Sequence, residues 1–205
     1  MAEQIVIGYF LEDIAQESFL KALVDKVAKG INVASSLTHA VWNAAGGRGQ
    51  ALDQLRRFVR DVQDGRLRPF HILVIAIDGN CCTYQDRKNE IDRIVLGSKY
   101  SGMYVLALPN PHIERWYLLD PSAFREAIGA KSDPIVPGYK CERGLYKHAL
   151  RAGFQSHGAP PPFIGTEYAP EIVARMNLYN AGKQDSSLKH FVDGLKQALA
   201  CLNSE

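Results

Sequence analysis

The stretch Phe70-His71-Ile72-Leu73-Val74-Ile75-Ala76-Ile77-Asp78-Gly79-Asn80 decides how this chain folds. Phe70 to Ile77 is nearly continuous Ile, Leu and Val, which predicts a strand covered on both faces. A strand with one wet face would alternate apolar and polar residues. Asp78-Gly79-Asn80 then ends it with turn-forming residues.

Working outward, Gln4 to Leu11 reads as a second apolar strand. Phe19, Leu20, Leu23, Val24 and Val27 follow at helical spacing, stopped by Gly30. Val33 to Trp42 reads as a more polar strand. Ala45-Gly46-Gly47-Arg48-Gly49 signals a loop, and Leu52, Leu55, Phe58, Val59 and Val62 an amphipathic helix ending near Gly65. Beyond Asp78, a helix is predicted from Gln85 to Leu96 and a strand from Met103 to Leu108, ended by Pro109-Asn110-Pro111. This alternation predicts an α/β fold, a parallel sheet with helices on both faces, over residues 1–128. Residues 129–205 read as a mainly helical extension packed on it. Helices are expected at Pro121 to Ile128, Tyr139 to Ala152, Pro170 to Leu178 and Ser186 to Leu202, with Pro160-Pro161-Pro162 a rigid loop.

The 205 residues, 46% hydrophobic and 22% charged, are ordinary for a globular chain long enough to bury its own core. A net charge of +2 does not mark a nucleic-acid binder, although a local basic patch is compatible with it. The run Ile5 to Leu11 lacks the flanks of a signal peptide, and no apolar stretch has membrane-spanning length. The cysteines, Cys81, Cys82, Cys141 and Cys201, match neither a zinc spacing nor a CxxC motif. The expectation is four reduced thiols in a cytoplasmic protein.

Parallel sheets bind ligands beyond the carboxyl ends of their strands. Acids gather there: Glu12, Asp13 and Glu17 after the first strand, Asp78 with Asn80 after the strongest, then His112, Glu114 and Asp120 after Met103 to Leu108. Clustered carboxylates repel one another unless a cation neutralises them, and a hard cation prefers oxygen ligands. A metal so held polarises phosphoryl oxygens or activates water. Taken singly, these residues also suit turns, helix caps and helix dipoles. Glu12 and Asp78 together, at the ends of two apolar strands, point to function.

Two segments sharpen this. Ile5-Val6-Ile7-Gly8-Tyr9-Phe10-Leu11-Glu12-Asp13 and Leu73-Val74-Ile75-Ala76-Ile77-Asp78-Gly79-Asn80-Cys81 resemble the first and second motifs of Toprim domains. Pro109-Asn110-Pro111-His112-Ile113-Glu114-Arg115-Trp116 resembles a proline, glutamate and tryptophan motif of Toprim-like proteins related to the OLD-type nucleases. Members of that family accompany ATPases of the SMC or ABC kind in bacterial defence loci. The resemblance covers roughly the first 120 residues and implies a Toprim/Rossmann-like sheet. It also implies a Mg2+- or Mn2+-dependent nuclease acting on nucleic acid, DNA foremost. Glu12 would be metal ligand or general base, Asp78 the main ligand, Asn80 an assisting ligand and Glu114 a further one. The sequence departs from the pattern at Asp13, where glycine is usual, at Asn80, where a second acid is usual, and at Glu17, one position late. The alternative is a non-catalytic Toprim-like subunit that binds an ATPase partner or nucleic acid.

Other features have two readings. Gly46-Gly47-Arg48-Gly49 precedes a helix and suits either a phosphate cradle or a plain loop. Arg87 and Lys88 suit contact with a nucleic-acid backbone or a solvated helix face. Lys140, Arg143, Lys147 and Arg151 form a basic stripe at helical spacing, most simply a solvated face. Trp116 is expected in the core. His112 is a base or ligand candidate, or structural.

Overall fold

The computed structural model describes residues 4–33, 36–44, 48–142, 144–155 and 166–203, with only the backbone described at Arg48 and Gly49. The strands are β1 (Gln4–Leu11), β2 (Ser36–Asn43), β3 (Ile72–Ala76) and β4 (Met103–Ala107). All pair in parallel in the order β2-β1-β3-β4. Between them run α1 (Ile14–Gly30), α2 (Arg48–Gln63) and α3 (Tyr84–Gly97). The remaining helices are α4 (Ile113–Tyr117), α5 (Pro121–Ile128), α6 (Leu145–Gln155), α7 (Ala169–Arg175), α8 (Leu178–Gln184) and α9 (Ser186–Leu202).

The protein is therefore α/β, with a parallel sheet flanked by helices and a helical C-terminal part. The strand alternation divides its core in two. Ile7, Tyr9 and Leu11 of β1, Val74 and Ala76 of β3, and Val105 and Ala107 of β4 pack toward α1, α4, α5, α7 and α9. Phe10, Leu73, Ile75 and Leu106 point the other way, toward α2 and α3. Each residue from Ile72 to Ile77 is 0% exposed, which is why that segment is aliphatic throughout. The first of these clusters continues into the C-terminal helices. The buried Trp116 indole of α4 donates to Ser187 Oγ of α9 at 3.2 Å, and its ring stacks on Phe191. One apolar core thus joins the sheet to the last helix.

Helix starts follow local chemistry. Asp13 caps α1 by accepting from Ala15 N–H at 2.8 Å, and Gln16 completes a capping box. Thr83 and Asp185 cap α3 and α9 in the same manner. The helix expected from Tyr139 begins only at Leu145. Gly144 takes φ +78°, and the Tyr146 hydroxyl accepts from Lys140 N–H while donating to Gly138 O, so the chain before α6 is folded back. The continuous helix expected over Pro170 to Leu178 is split, because Lys26 Nζ binds the carbonyls of Val173, Ala174 and Met176 and ends α7. The Pro160-Pro161-Pro162 loop, Gly46-Gly47 and Arg143 lie outside the described residues.

The expectation of four reduced thiols is corrected. Cys81 and Cys141 form a disulfide with a Cα separation of 5.7 Å, within the usual range, while Cys82 and Cys201 are free. The partners are 60 residues apart, so only the folded-back chain before α6 brings them together. Among the described residues no helix is long and apolar enough to cross a membrane.

Packing around β1 gives a direct check. A Cβ on Gly8 would come within 2.4 Å of the Phe70 ring, whereas one on Gly30 would meet nothing within 4 Å. Gly8→Ala is expected to cost about 1–3 kcal/mol, as overpacking does. Urea unfolding should show a lowered midpoint for Gly8→Ala and an unchanged or raised one for Gly30→Ala.

Candidate active site at the switch point of the sheet

The chain leaves β1 through α1 to reach β2. It then returns past β1 through α2 to β3, and continues through α3 to β4. Direction reverses between β1 and β3, whose following helices depart to opposite faces. A crevice opens at such a point, beyond the carboxyl ends of the two strands. Glu12 follows β1, and Asp78 lies two residues beyond β3.

The two acids are joined there. Asp78 N–H donates to Glu12 Oε2 at 2.9 Å, and Glu12 N–H donates to Ala76 O at 3.0 Å. Gln16, wholly buried, links them a second time. Its Oε1 accepts from Glu12 N–H at 3.1 Å, and its Nε2 donates to Asp78 Oδ1 at 2.9 Å. The other Asp78 oxygen lies 3.0 Å from His112 Nδ1, just before α4. A carboxylate acceptor places the proton of that bond on Nδ1.

Charge is concentrated in this small volume. Burial pushes the Glu12 carboxyl above its usual range; the Asp78 and Asp13 charges add to this, and Arg87 opposes it. Burial also raises Asp78, against the pull of the His112 and Gln16 hydrogen bonds. Glu114 is raised by burial and by Asp78, with its own N–H and His112 acting the other way. His112 is raised by its bond to Asp78, with Glu114 and Glu12 contributing. Glu12, Asp78, His112 and Glu114 therefore sense one another's charge.

Other candidates fall differently. Asn80 takes φ +46° and Cys81 φ +72°, two successive left-handed residues, and Asn tolerates that region better than most. Its Nδ2 donates back to Asp78 O at 3.2 Å, so the side chain lies against the turn. Arg87 is neither surface-borne nor solvated. Its side chain is 1% exposed, binds Gly79 O at 3.0 Å, pairs with Glu90, and leaves Nε buried with no partner among the described residues. It holds the turn from beneath. Lys88 is partly exposed and paired with Asp92. The Arg48 side chain lies outside the described residues, as does most of the Gly46-Gly47-Arg48-Gly49 cradle. Glu17 is taken up by Lys21 and Asn43, and Asp120 caps α5 while accepting from Asn177 N–H. Lys147 and Arg151 are exposed on α6, whereas Lys140 precedes the helix.

Gln16 is the member that residue-type reasoning missed. The Asp13-x-x-Gln16 capping-box pattern was its visible trace. Among the described residues no three His, Cys, Asp or Glu side chains stand ready as a metal-binding group. The donor set is nonetheless of hard oxygens whose mutual repulsion a divalent cation would relieve, so its chemistry fits Mg2+ or Mn2+.

The raised carboxyls fix a sign. Ionising Glu12, Asp78 or Glu114 costs native stability. That cost is absent below about pH 4, where these groups are protonated in both states, and grows as pH rises through the folded values. His112 has the same sign. The stability it contributes is full below about pH 6.5 and is lost as pH rises through its raised folded value. Glu114→Gln should therefore raise the melting temperature more at pH 8 than at pH 4, measured by thermal circular dichroism. A difference independent of pH would mean that the charge is not what strains this site.

Searches against family models, curated proteins and solved structures returned no match for the chain.

Proposed function

We propose that this crevice is the catalytic centre of a divalent-cation-dependent phosphodiesterase acting on nucleic acid, DNA foremost, of the Toprim-like kind that the motifs resemble. One observation carries the reading: the acids beyond β1 and β3 are held one hydrogen bond apart at the switch point, 2.9 Å from Asp78 N–H to Glu12 Oε2. The Glu114 charge acts on the same cluster.

Glu12, Asp78 and Glu114, with the Asn80 amide oxygen, are the residues to hold Mg2+ or Mn2+. When bound, such a cation stabilises the negative charge that builds on the phosphoryl and leaving oxygens. Glu12 is either a ligand or the general base; as the base, its carboxylate, made more basic by burial, takes a proton from the attacking water. His112, whose protonated form Asp78 favours, supplies one to the leaving oxygen. Gln16 and Arg87 fix Asp78 and the turn behind it. A cytoplasmic setting, a role in bacterial defence and an SMC- or ABC-type ATPase partner belong to the same proposal.

A second reading has its own support. Both Asp78 oxygens are already engaged, by Gln16 and His112, and no ready metal-binding group exists among the described residues. That favours a non-catalytic subunit which binds an ATPase or nucleic acid.

Plasmid and linear DNA cleavage, with and without the ATPase partner, separates the two. Cleavage should require Mg2+ or Mn2+. Asp78→Ala and Glu12→Gln should each lower it by roughly 10²–10³-fold, the loss typical of removing one preorganised electrostatic group. Asn80→Asp should tighten Mn2+ binding in calorimetry, since a carboxylate attracts the cation more strongly than an amide does. A protein that binds neither cation and cuts nothing, or an Asp78→Ala variant as active as the parent, would leave the non-catalytic reading standing.

A further inference from the structure

The turn that bears Asp78 is tied to a distant part of the chain. Cys81 lies within it, and Cys141 lies near the end of a stretch, residues 130–142, that contains no helix or strand. This stretch reaches the crevice rim at Tyr139. The Tyr139 ring covers the Arg115 guanidinium at 5.3 Å, and its hydroxyl donates to Asn110 Oδ1 at 3.4 Å. The same Asn110 side chain accepts from Cys81 N–H at 3.2 Å and donates to Cys82 O at 3.0 Å. Arg115 is the neighbour of Glu114, and Asn110 lies two residues before His112. Residues 138–142 thus form a strap over the rim of the acidic cluster.

The Tyr146 hydroxyl ties Lys140 N–H and Gly138 O to α6, but among the described residues the strap's non-covalent hold on the rim itself is slight: one long hydrogen bond to Asn110 and one cation–π contact with Arg115 at an exposed ring. The disulfide is the strong attachment. Cys81 and Cys141 are both exposed, and exposed disulfides are the ones open to thiol exchange. The turn itself holds two consecutive non-glycine residues in the left-handed region, a conformation that persists only where its surroundings enforce it.

We propose that the Cys81–Cys141 disulfide is a redox latch on the crevice. Oxidised, it fastens the strap to the Asp78–Cys82 turn and orders the rim. Reduced, the strap detaches and the turn loosens. In the reducing direction, the thiolate of a small-molecule thiol of the glutathione class attacks one latch sulfur. The S–S bond breaks, a mixed disulfide forms, and the other cysteine leaves as a thiolate and takes a proton. A second small thiol attacks the mixed disulfide and releases the remaining cysteine together with a small-molecule disulfide. Two electrons pass from the small thiols to the cystine, and the small-molecule disulfide is the oxidant for the reverse. That the latched crevice is catalytic rests on the proposed function; the latch itself does not.

The full chain is equilibrated in buffers of reduced and oxidised glutathione, quenched, and mapped by mass spectrometry alongside amide hydrogen exchange. One transition should interconvert the linked Cys81–Cys141 peptide and two free thiols while the chain stays folded. In the reduced form the amides of residues 78–82 and 138–142 should exchange roughly tenfold faster, with β1 and β3 unchanged. Cys141→Ser should show the reduced pattern even under oxidising buffer, and Cys82→Ser should keep the transition. The latch is overturned if the linkage never forms, or if it resists reduction until the chain is unfolded. It is equally overturned if both segments exchange alike in the two forms, or if Cys82→Ser abolishes the transition. These readouts need neither cation nor DNA, so a failed cleavage assay and a failed latch are separate results.

Discussion

The hydrogen bond from Asp78 N–H to the Glu12 carboxylate fastens the ends of β1 and β3 at the one place where the sheet changes direction. Each strand could end independently, with its own turn and its own water. Instead the first residue beyond β1 accepts from the second residue beyond β3. Gln16 then repeats the link from the first turn of α1, bonding Glu12 N–H on one side and Asp78 on the other. The entry to α1, the exit from β3 and the segment before α4 are all set by this small polar cluster.

Such a cluster opposes folding before it serves anything else. Burial disfavours each ionised carboxyl, and each disfavours its neighbours. Offsetting groups surround it: Asp78 N–H on the Glu12 carboxylate, Gln16 and His112 on the two Asp78 oxygens, and Arg87 beneath the turn, where its guanidinium holds Gly79 O and lowers the cost of charge on Glu12. Two successive left-handed residues, Asn80 and Cys81, add backbone strain at the same spot. Strain and unfavourable charge thus meet at the sheet switch point, the combination that marks these residues as a candidate site.

The architecture was legible because it is written in local pattern. The unbroken aliphatic run at Ile72 to Ile77 said that both faces of β3 are covered, and they are. The place of Glu12 and Asp78 at the carboxyl edge was legible because each directly follows an apolar run, Ile5 to Leu11 and Ile72 to Ile77. What escaped depended on contacts between remote residues. Strand order, and hence the switch point between β1 and β3, has no trace in periodicity. Arg87 looked like a surface cation because helix spacing alone does not say that the Gly79 carbonyl lies above it. The Cys81–Cys141 pair required knowing that Tyr146 folds the chain back before α6. A helix from Tyr139 to Ala152 fitted the periodicity, but Gly144 and those tertiary bonds overrode it.

A second chain of polar groups shows why position matters more than pairing. Tyr9 Oη lies 2.8 Å from His39 Nδ1, and His39 Nε2 lies 3.1 Å from Asp25 Oδ1. By residue type this is as suggestive as Asp78 with His112. Yet Tyr9 is 0% exposed on the central strand β1, and its hydroxyl proton is held hard by burial. The His39 and Asp25 side chains do meet solvent, but His39 sits mid-strand in β2, opposite Ile7 of β1, on the flank of the sheet and not beyond its strand ends, and there the three groups satisfy one another. The Asp78 and His112 side chains keep 14% and 28% of their surface in solvent, at the carboxyl edge where the connections that follow β1 and β3 leave to opposite faces. The same chemistry that settles against the flank of β2 becomes a candidate for catalysis at the strand ends of a switch point, which in this sheet lies between β1 and β3.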